Sequence, residues 1–246
     1  MVRTPANWLG RFGLKSVPTE SPASSPFRWT AIYEALKEAI IQHKLLPGTK
    51  LPEDELSEVF SVSRTLVRSA LQALAHDRLV LLELNRGAFV AKPNKREARE
   101  VFEARALIEP RIAAMAAEVA KPDHIKRLRS QLDEEHKAVE ESRQGDAVML
   151  SSKFHETIAE IAGQSILTEF VRSLCSRSAL IILMYSRRPD TVCESHAHTA
   201  LVDAIAANSP LDASELMTSH LVDLLSAIDI SERREPGKTL AEILRS

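Results

Sequence analysis

The sequence predicts a mainly α-helical protein in two parts: an N-terminal winged helix-turn-helix and a C-terminal, all-helical antiparallel bundle of six helices. Three observations carry that prediction. Only 7 of the 246 residues are glycine and aromatics make up 4%; few glycines beside many Ala, Leu, Glu and Arg favour helix over a turn-rich β protein. Apolar residues recur at helical spacing along most of the chain. The period changes in one place, where Leu79–Leu84 and Ala88–Val90 flank the turn Asn85-Arg86-Gly87, as in a β-hairpin. A chain of this length can bury two separate cores.

In chain order, residues 1–26 are rich in Pro and Ser, lack periodicity, and read as a flexible tail. Thr30 is the expected N-cap of a first helix carrying Ile32, Leu36, Ala39 and Ile40, which stops before Pro47-Gly48. Pro52 opens a short helix with Leu56, Val59 and Phe60 on one side. Ser63 then caps a third, whose apolar face is Leu66 or Val67 with Ala70, Leu71 and Leu74. The hairpin completes a head spanning 27–92. From Pro93 onward every segment is helical, with expected spans 95–119, 123–143, 146–162, 165–187, 190–207 and 210–229. The breaks fall at Pro122-Asp123, Gly145-Asp146, Gly163, Pro189-Asp190 and Ser209-Pro210. Short links between such helices make a bundle over 95–230, and 231–246 form a C-terminal tail.

Charge divides along the same line. Residues 1–95 hold 13 Lys and Arg against 9 Asp and Glu, and the rest hold 19 against 25. A basic head on an acidic body suits polyanion binding at the head. Two short helices with a tight connection have helix-turn-helix geometry, and the second can enter the DNA major groove if its start is basic and its far side apolar. Here that start is Ser63-Arg64-Thr65-Leu66-Val67-Arg68. Arg64 and Arg68 lie one turn apart on one face, suited to phosphates or guanine edges. Thr65 is a third candidate contact, and the free N–H groups beyond Ser63 offer a phosphate site. Arg86 and Gly87 place a cation at the hairpin tip, within reach of a minor groove.

Three stretches, Leu51-Pro52-Glu53-Asp54-Glu55-Leu56-Ser57-Glu58, Val62 to Leu71, and Asn85-Arg86-Gly87-Ala88-Phe89-Val90, with the lead-in Leu46-Pro47-Gly48-Thr49-Lys50-Leu51, closely resemble the head of the GntR family of bacterial regulators. The likeness covers about residues 30–92, departing at Leu66, where the family usually has Pro, and at Ser69, where it usually has Glu. It implies that Arg64 and Arg68 contact DNA from the recognition helix, that the wing around Gly87 lies in the adjacent minor groove, and that a homodimer binds a pseudo-palindromic operator.

In the bundle, His155, His198 and His220 occupy apolar-face positions of separate helices, with no i, i+4 pair among them. His196 and His198 are about 200° apart around a helix, so only one can face the centre. Spacing alone leaves satisfied core histidines as the commoner alternative to a metal site. Val101-Phe102-Glu103-Ala104-Arg105-Ala106-Leu107-Ile108-Glu109, then Phe154-His155-Glu156-Thr157-Ile158 with Ala162-Gly163-Gln164, then His198 and His220, resemble the FCD sensor domain of the FadR subgroup of that family. The resemblance implies a divalent metal held by the three imidazoles and one Asp, with a carboxylate effector beside it. The Asp position, four residues before the first His, is Ser151 here. A neutral hydroxyl is a poor ligand, so three histidines could hold Zn²⁺ or Ni²⁺ with water or an effector carboxylate completing the shell. Ser151 and Arg105 are the candidate effector contacts; Arg105 could instead pair with Glu109 one turn on.

The expected function is therefore a ligand-responsive, DNA-binding transcription regulator, with repression the expected sense, and not an enzyme. The rival readings are a metal-dependent hydrolase on the three histidines and a DNA-binding scaffold that senses nothing. The hydrolase lacks a suitably placed base, since Glu156 points about 100° away from His155, and the sequence shows no nucleophile–base pair or phosphate-binding Gly loop. Two cysteines, Cys175 and Cys193, suit reduced thiols rather than a disulfide framework. The longest apolar run, Ala179–Tyr185, falls far short of the ~20 residues of a membrane span, and no secretory signal opens the chain. A cytoplasmic location is expected. Residues 93 and 94, between hairpin and bundle, are where an effector's influence would pass to the head.

Overall fold

The computed structural model describes residues 27–186 and 195–230. Both tails, and the Pro189-Asp190 break with Cys193, lie outside the described residues. The head comprises α1 (Phe27–Ile41), β1 (Lys50–Leu51), α2 (Glu53–Phe60), α3 (Arg64–His76), β2 (Val80–Glu83) and β3 (Gly87–Val90). α4 (Lys95–Val119), α5 (Pro122–Glu140), α6 (Gln144–Ile161), α7 (Ser165–Tyr185), α8 (Ser195–Ala206) and α9 (Pro210–Ala227) follow.

Helix α1 begins at Phe27, so Thr30 is not its N-cap but lies within its first turn. Its inward stripe is the expected one, with Ile32, Leu36, Ala39 and Ile40 all buried. His43 and Gly48 take left-handed backbone (φ 54° and 84°) and turn the chain into β1. β1 pairs antiparallel with β3, which pairs with β2, giving the order β1-β3-β2. This third strand was not expected. Its two residues carry no period of their own, and only β3 makes them a strand. α2 ends on Ser61, left-handed at φ 52°, and Ser63 is the N-cap of α3 by backbone geometry. α3 buries Val67, Ala70, Leu71 and Leu74 at spacings of three and four, with Leu66 only partly covered.

In the bundle, α4 buries Ala98, Val101, Phe102, Arg105, Glu109, Ile112 and Ala113 along one face. Asn94 caps it, its side chain accepting from the Glu97 N–H at 2.9 Å. α4 packs on α9 and α7, and α6 on α5 and α7. The ends of α7 and α9 are tied by the antiparallel bridge Ser186–Ile228. Buried apolar side chains form one cluster in the bundle and another in the head; Ile41 of α1 belongs to the bundle's and Leu180 of α7 to the head's. No helix among the described residues is long and apolar enough to cross a membrane.

Candidate functional site

Packing of Val67, Leu71 and Leu74 into the head's core leaves the opposite side of α3 facing outward. Ser63, Arg64, Thr65 and Arg68 are all exposed there. Neither arginine is idle. Arg64 Nε lies 2.9 Å from Asp54 Oδ1, and Arg68 donates from Nε and Nη2 to the two carboxylate oxygens of Glu53 at 3.0 and 2.7 Å. The acidic first turn of α2 thus orients both guanidiniums at the protein surface. At the hairpin tip Asn85 and Gly87 are left-handed, at φ 61° and 96°, which suits Gly87 to a tight turn. Arg86 is exposed there, paired with Glu83 and lying 5.4 Å from the Phe89 ring centre.

The three histidines expected to face inward converge. His155 comes from α6, His198 from α8 and His220 from α9, exposed by only 2%, 1% and 2%; His196 is exposed, so His198 is the inward one of its pair. His220 Nε2 stands 3.2 Å from His155 Nε2 and 3.1 Å from His198 Nε2. The outer nitrogens of two rings face buried carboxylates. His198 Nδ1 is 3.0 Å from Glu135 Oε2, and His155 Nδ1 is 2.7 Å from Glu109 Oε2, close but bent from a linear hydrogen bond. Phe154 closes one side, its ring centre 4.5 Å from that of His198.

This pattern has a chemical consequence. A carboxylate accepts, so Glu109 and Glu135 hold the protons of His155 and His198 on Nδ1 and leave each Nε2 as a bare lone pair. His220 has no partner on Nδ1 among the described residues, and from Nε2 it can donate to only one of its two neighbours. At least one pair of lone pairs is therefore left facing across about 3 Å inside the protein. That arrangement is unfavourable alone and suited to a cation. Tetrahedral zinc with Zn–N bonds of about 2.0–2.1 Å separates its nitrogens by about 3.3 Å, close to the separations found.

Nothing local in the sequence marks Glu109 and Glu135 as partners of these rings. Glu109 also receives Arg105, whose Nε and Nη2 donate at 2.5 and 3.2 Å, while Arg105 Nη1 donates to Ser178 at 2.9 Å. Arg105 is thus engaged on three nitrogens, and the pairing with Glu109 is the alternative the fold adopts. Against burial, which would raise it, Arg105 and His155 hold the Glu109 carboxyl down at about 2. Ser151 is half-buried, one turn before His155 on α6. Glu156 points away, towards Lys153 at 3.2 Å and Arg172 at 3.7 Å.

Comparison with known proteins gives this geometry its context. Residues 29–90 match the profile of the bacterial regulatory proteins of the gntR family, and residues 100–223 match the FCD domain. The chain belongs to the GntR family, in the branch with an FCD domain. The HTH-type transcriptional repressor RspR of Escherichia coli K12 is 26% identical over 203 residues, spanning 80% of this chain and 87% of its own. The Uxu operon regulator of Haemophilus influenzae is 28% identical over 227 residues, 85% of each chain. A solved GntR chain from Rhodococcus sp. RHA1 superposes with a TM-score of 0.70 at 27% identity, covering 81% of this chain and 96% of that one. This GntR chain is therefore a transcription regulator with a DNA-binding head, and the buried histidines lie in its FCD domain.

Burial pushes the His155 imidazole from 6.5 down to about 4, with Arg105 assisting and Glu109 opposing. It pushes His220 well below its ordinary value, with the other two rings and Arg105 adding to the effect. In metal-free protein the folded state therefore binds fewer protons than the unfolded chain between about pH 6.5 and 4. Stability is complete above that window and declines as pH falls through it. At about 1.4 kcal/mol per pH unit, His155 alone contributes on the order of 3 kcal/mol to the decline. Urea unfolding of chelator-treated protein should show this slope; equal stability at pH 4 and 7 would contradict the neutral assignment.

Proposed function

We propose that this regulator is a homodimeric, cytoplasmic repressor that releases or rebinds its operator as a small organic acid occupies a metal centre in its bundle. His155, His198 and His220 would hold the divalent ion, Zn²⁺ or Ni²⁺, and the convergence of their buried Nε2 atoms is the observation that carries the reading. The ion would supply positive charge and an open coordination position for a carboxylate. The chain's own groups do the remaining work. Glu109 and Glu135 fix ring orientation and tautomer, and Arg105 keeps Glu109 ionised rather than gripping the effector itself. Ser151 places a neutral hydroxyl where a charged ligand would satisfy the ion from within the protein, so an anion from outside is needed to complete the shell. One relative points the same way: it is named as the galactonate operon transcriptional repressor of Escherichia coli, and galactonate is a hydroxy acid.

At the head, Ser63, Arg64, Thr65 and Arg68 would meet the major groove, and Arg86 with Gly87 the neighbouring minor groove. Binding exchanges the carboxylates of Asp54 and Glu53 for phosphates or guanine edges. The test uses duplex DNA selected from random sequence by the full-length protein. In gel shifts with Zn²⁺ present, at least one small hydroxycarboxylate should change affinity about fivefold or more, the low end of couplings between sites, and chelator should abolish the response. Unchanged affinity with every carboxylate that binds, or an equal response in metal-free protein, would overturn the reading.

A further inference from the structure

The head and the bundle touch at a contact that the linker expectation did not include. The end of α1 sits on the start of α6. There, a Cβ on Gly145 would come within 2.8 Å of Gln42 Cα, 3.1 Å of the Ile41 carbonyl oxygen and 3.2 Å of Gln42 Cγ. Any side chain at residue 145 would push against backbone, which cannot swing aside. Gln42 Nε2 donates across the contact to Asp146 Oδ1 at 2.8 Å and to Glu38 Oε1 at 3.1 Å. Arg143 holds Asp146 from the other side. Beside these polar links, Ile41 packs into the bundle's core, while Leu180 of α7 packs into the head's. The Tyr185 hydroxyl donates to the Pro93 carbonyl at 2.9 Å, fixing the linker to α7.

α6 carries His155 itself, and α7 touches Arg105, the partner of Glu109 behind that ring. Gly145 stands ten residues before His155 on α6, about 15 Å along a rigid helix, with Ser151 between them. On α7, Ser178 accepts from Arg105, two residues from Leu180. Loading the pocket fixes α6 against α8 and α9, because the three imidazoles come one from each. A helix clamped at His155 moves as a body, and its first turn carries the surface on which α1 rests.

We infer that the closed contact of Gln42 with Gly145 and Asp146 is the joint that passes the state of the three-histidine pocket to the DNA-binding head. This rests on the metal reading above. Gly145 and Gln42 are positioning residues: neither supplies a ligand atom to the pocket, and neither belongs to α3. Close packing makes such a joint responsive, since packed interfaces switch between discrete arrangements rather than bending continuously.

Hydrogen–deuterium exchange on the full-length protein, with Zn²⁺ alone as the probe, tests it. In wild type, Zn²⁺ should slow exchange at least about fivefold around 155–160, 198–202 and 220–224, and also around 38–45, the end of α1 and the turn after it. Gln42→Ala removes the hydrogen bond. Gly145→Ala keeps α6 helical, alanine being the better helix former, and wedges α1 away. Both variants should keep wild-type Zn²⁺ affinity and slowing at the histidines while losing the response at 38–45. The joint is overturned if the variants keep that response, or if wild type slows at the histidines and not in α1. No slowing at the histidines in wild type contradicts the metal reading, and the joint falls with it.

Discussion

Replacing Arg64 and Arg68 together with alanine is expected to abolish specific operator binding while leaving the fold intact. Both side chains are exposed, at 66% and 60%, and neither contributes to the core, so the loss should appear in DNA affinity and not in the unfolding curve. A bidentate arginine–guanine contact discriminates by about fivefold to a hundredfold or more. The double variant should therefore bind weaker by two to four orders of magnitude if both read bases. If instead they grip phosphates, the dependence of log affinity on log salt should become shallower by about two. Glu53→Gln with Asp54→Asn is the complementary experiment. It frees the same guanidiniums from their carboxylates, so DNA affinity should rise a few-fold, most of it non-specific. Fluorescence anisotropy across a salt series reads all of these. Unchanged affinity and salt slope in the arginine double variant would remove this helix from the DNA interface.

The second large effect is expected at the pocket. His220→Ala removes the imidazole whose Nε2 lies between the other two, and metal affinity should fall by well over a hundredfold. Loss of an outer-shell partner alone typically costs ten- to a hundredfold. Glu135→Gln should fall in that smaller range, because the amide still fills the space behind His198 but no longer demands a proton from its Nδ1. Competition with a chromophoric chelator measures both. The order of the two effects matters as much as their size: a Glu135 variant weaker than the His220 variant would mean that the carboxylate, not the ring, is the ligand.

The parts of this architecture legible in the sequence are those with local causes. Helix spacing placed α4, and the breaks at Pro122 and Ser209-Pro210 marked neighbouring ends. A Gly-containing turn marked the wing. The three histidines could be singled out because each interrupts an apolar stripe. What could not be read depends on partners distant in the chain. β1 is a strand only because β3 lies beside it. Glu135 sits in the very polar α5, where a buried acid leaves no local trace; only His198, 63 residues away, makes it comprehensible. The sequence shows Glu109 as one half of an i, i+4 pair with Arg105, but its second role, against His155 on α6, exists only in the folded bundle. Gly145 read as a helix break and proved to be the first turn of α6, kept small by the backbone of α1. Thr30 misled because a capping residue type resembles a cap wherever it falls near a helix start, and here Phe27 begins the helix three residues sooner.

Uptake of Co²⁺ by the full-length, metal-free protein, followed by its visible absorption, tests the central claim most directly. One ion per chain should bind with the intense bands of a tetrahedral, nitrogen-bound site, and a hydroxycarboxylate should perturb those bands by entering the fourth position. Absence of stoichiometric uptake, or an identical spectrum from the His155→Ala, His198→Ala and His220→Ala proteins, would contradict a metal centre built from these three rings.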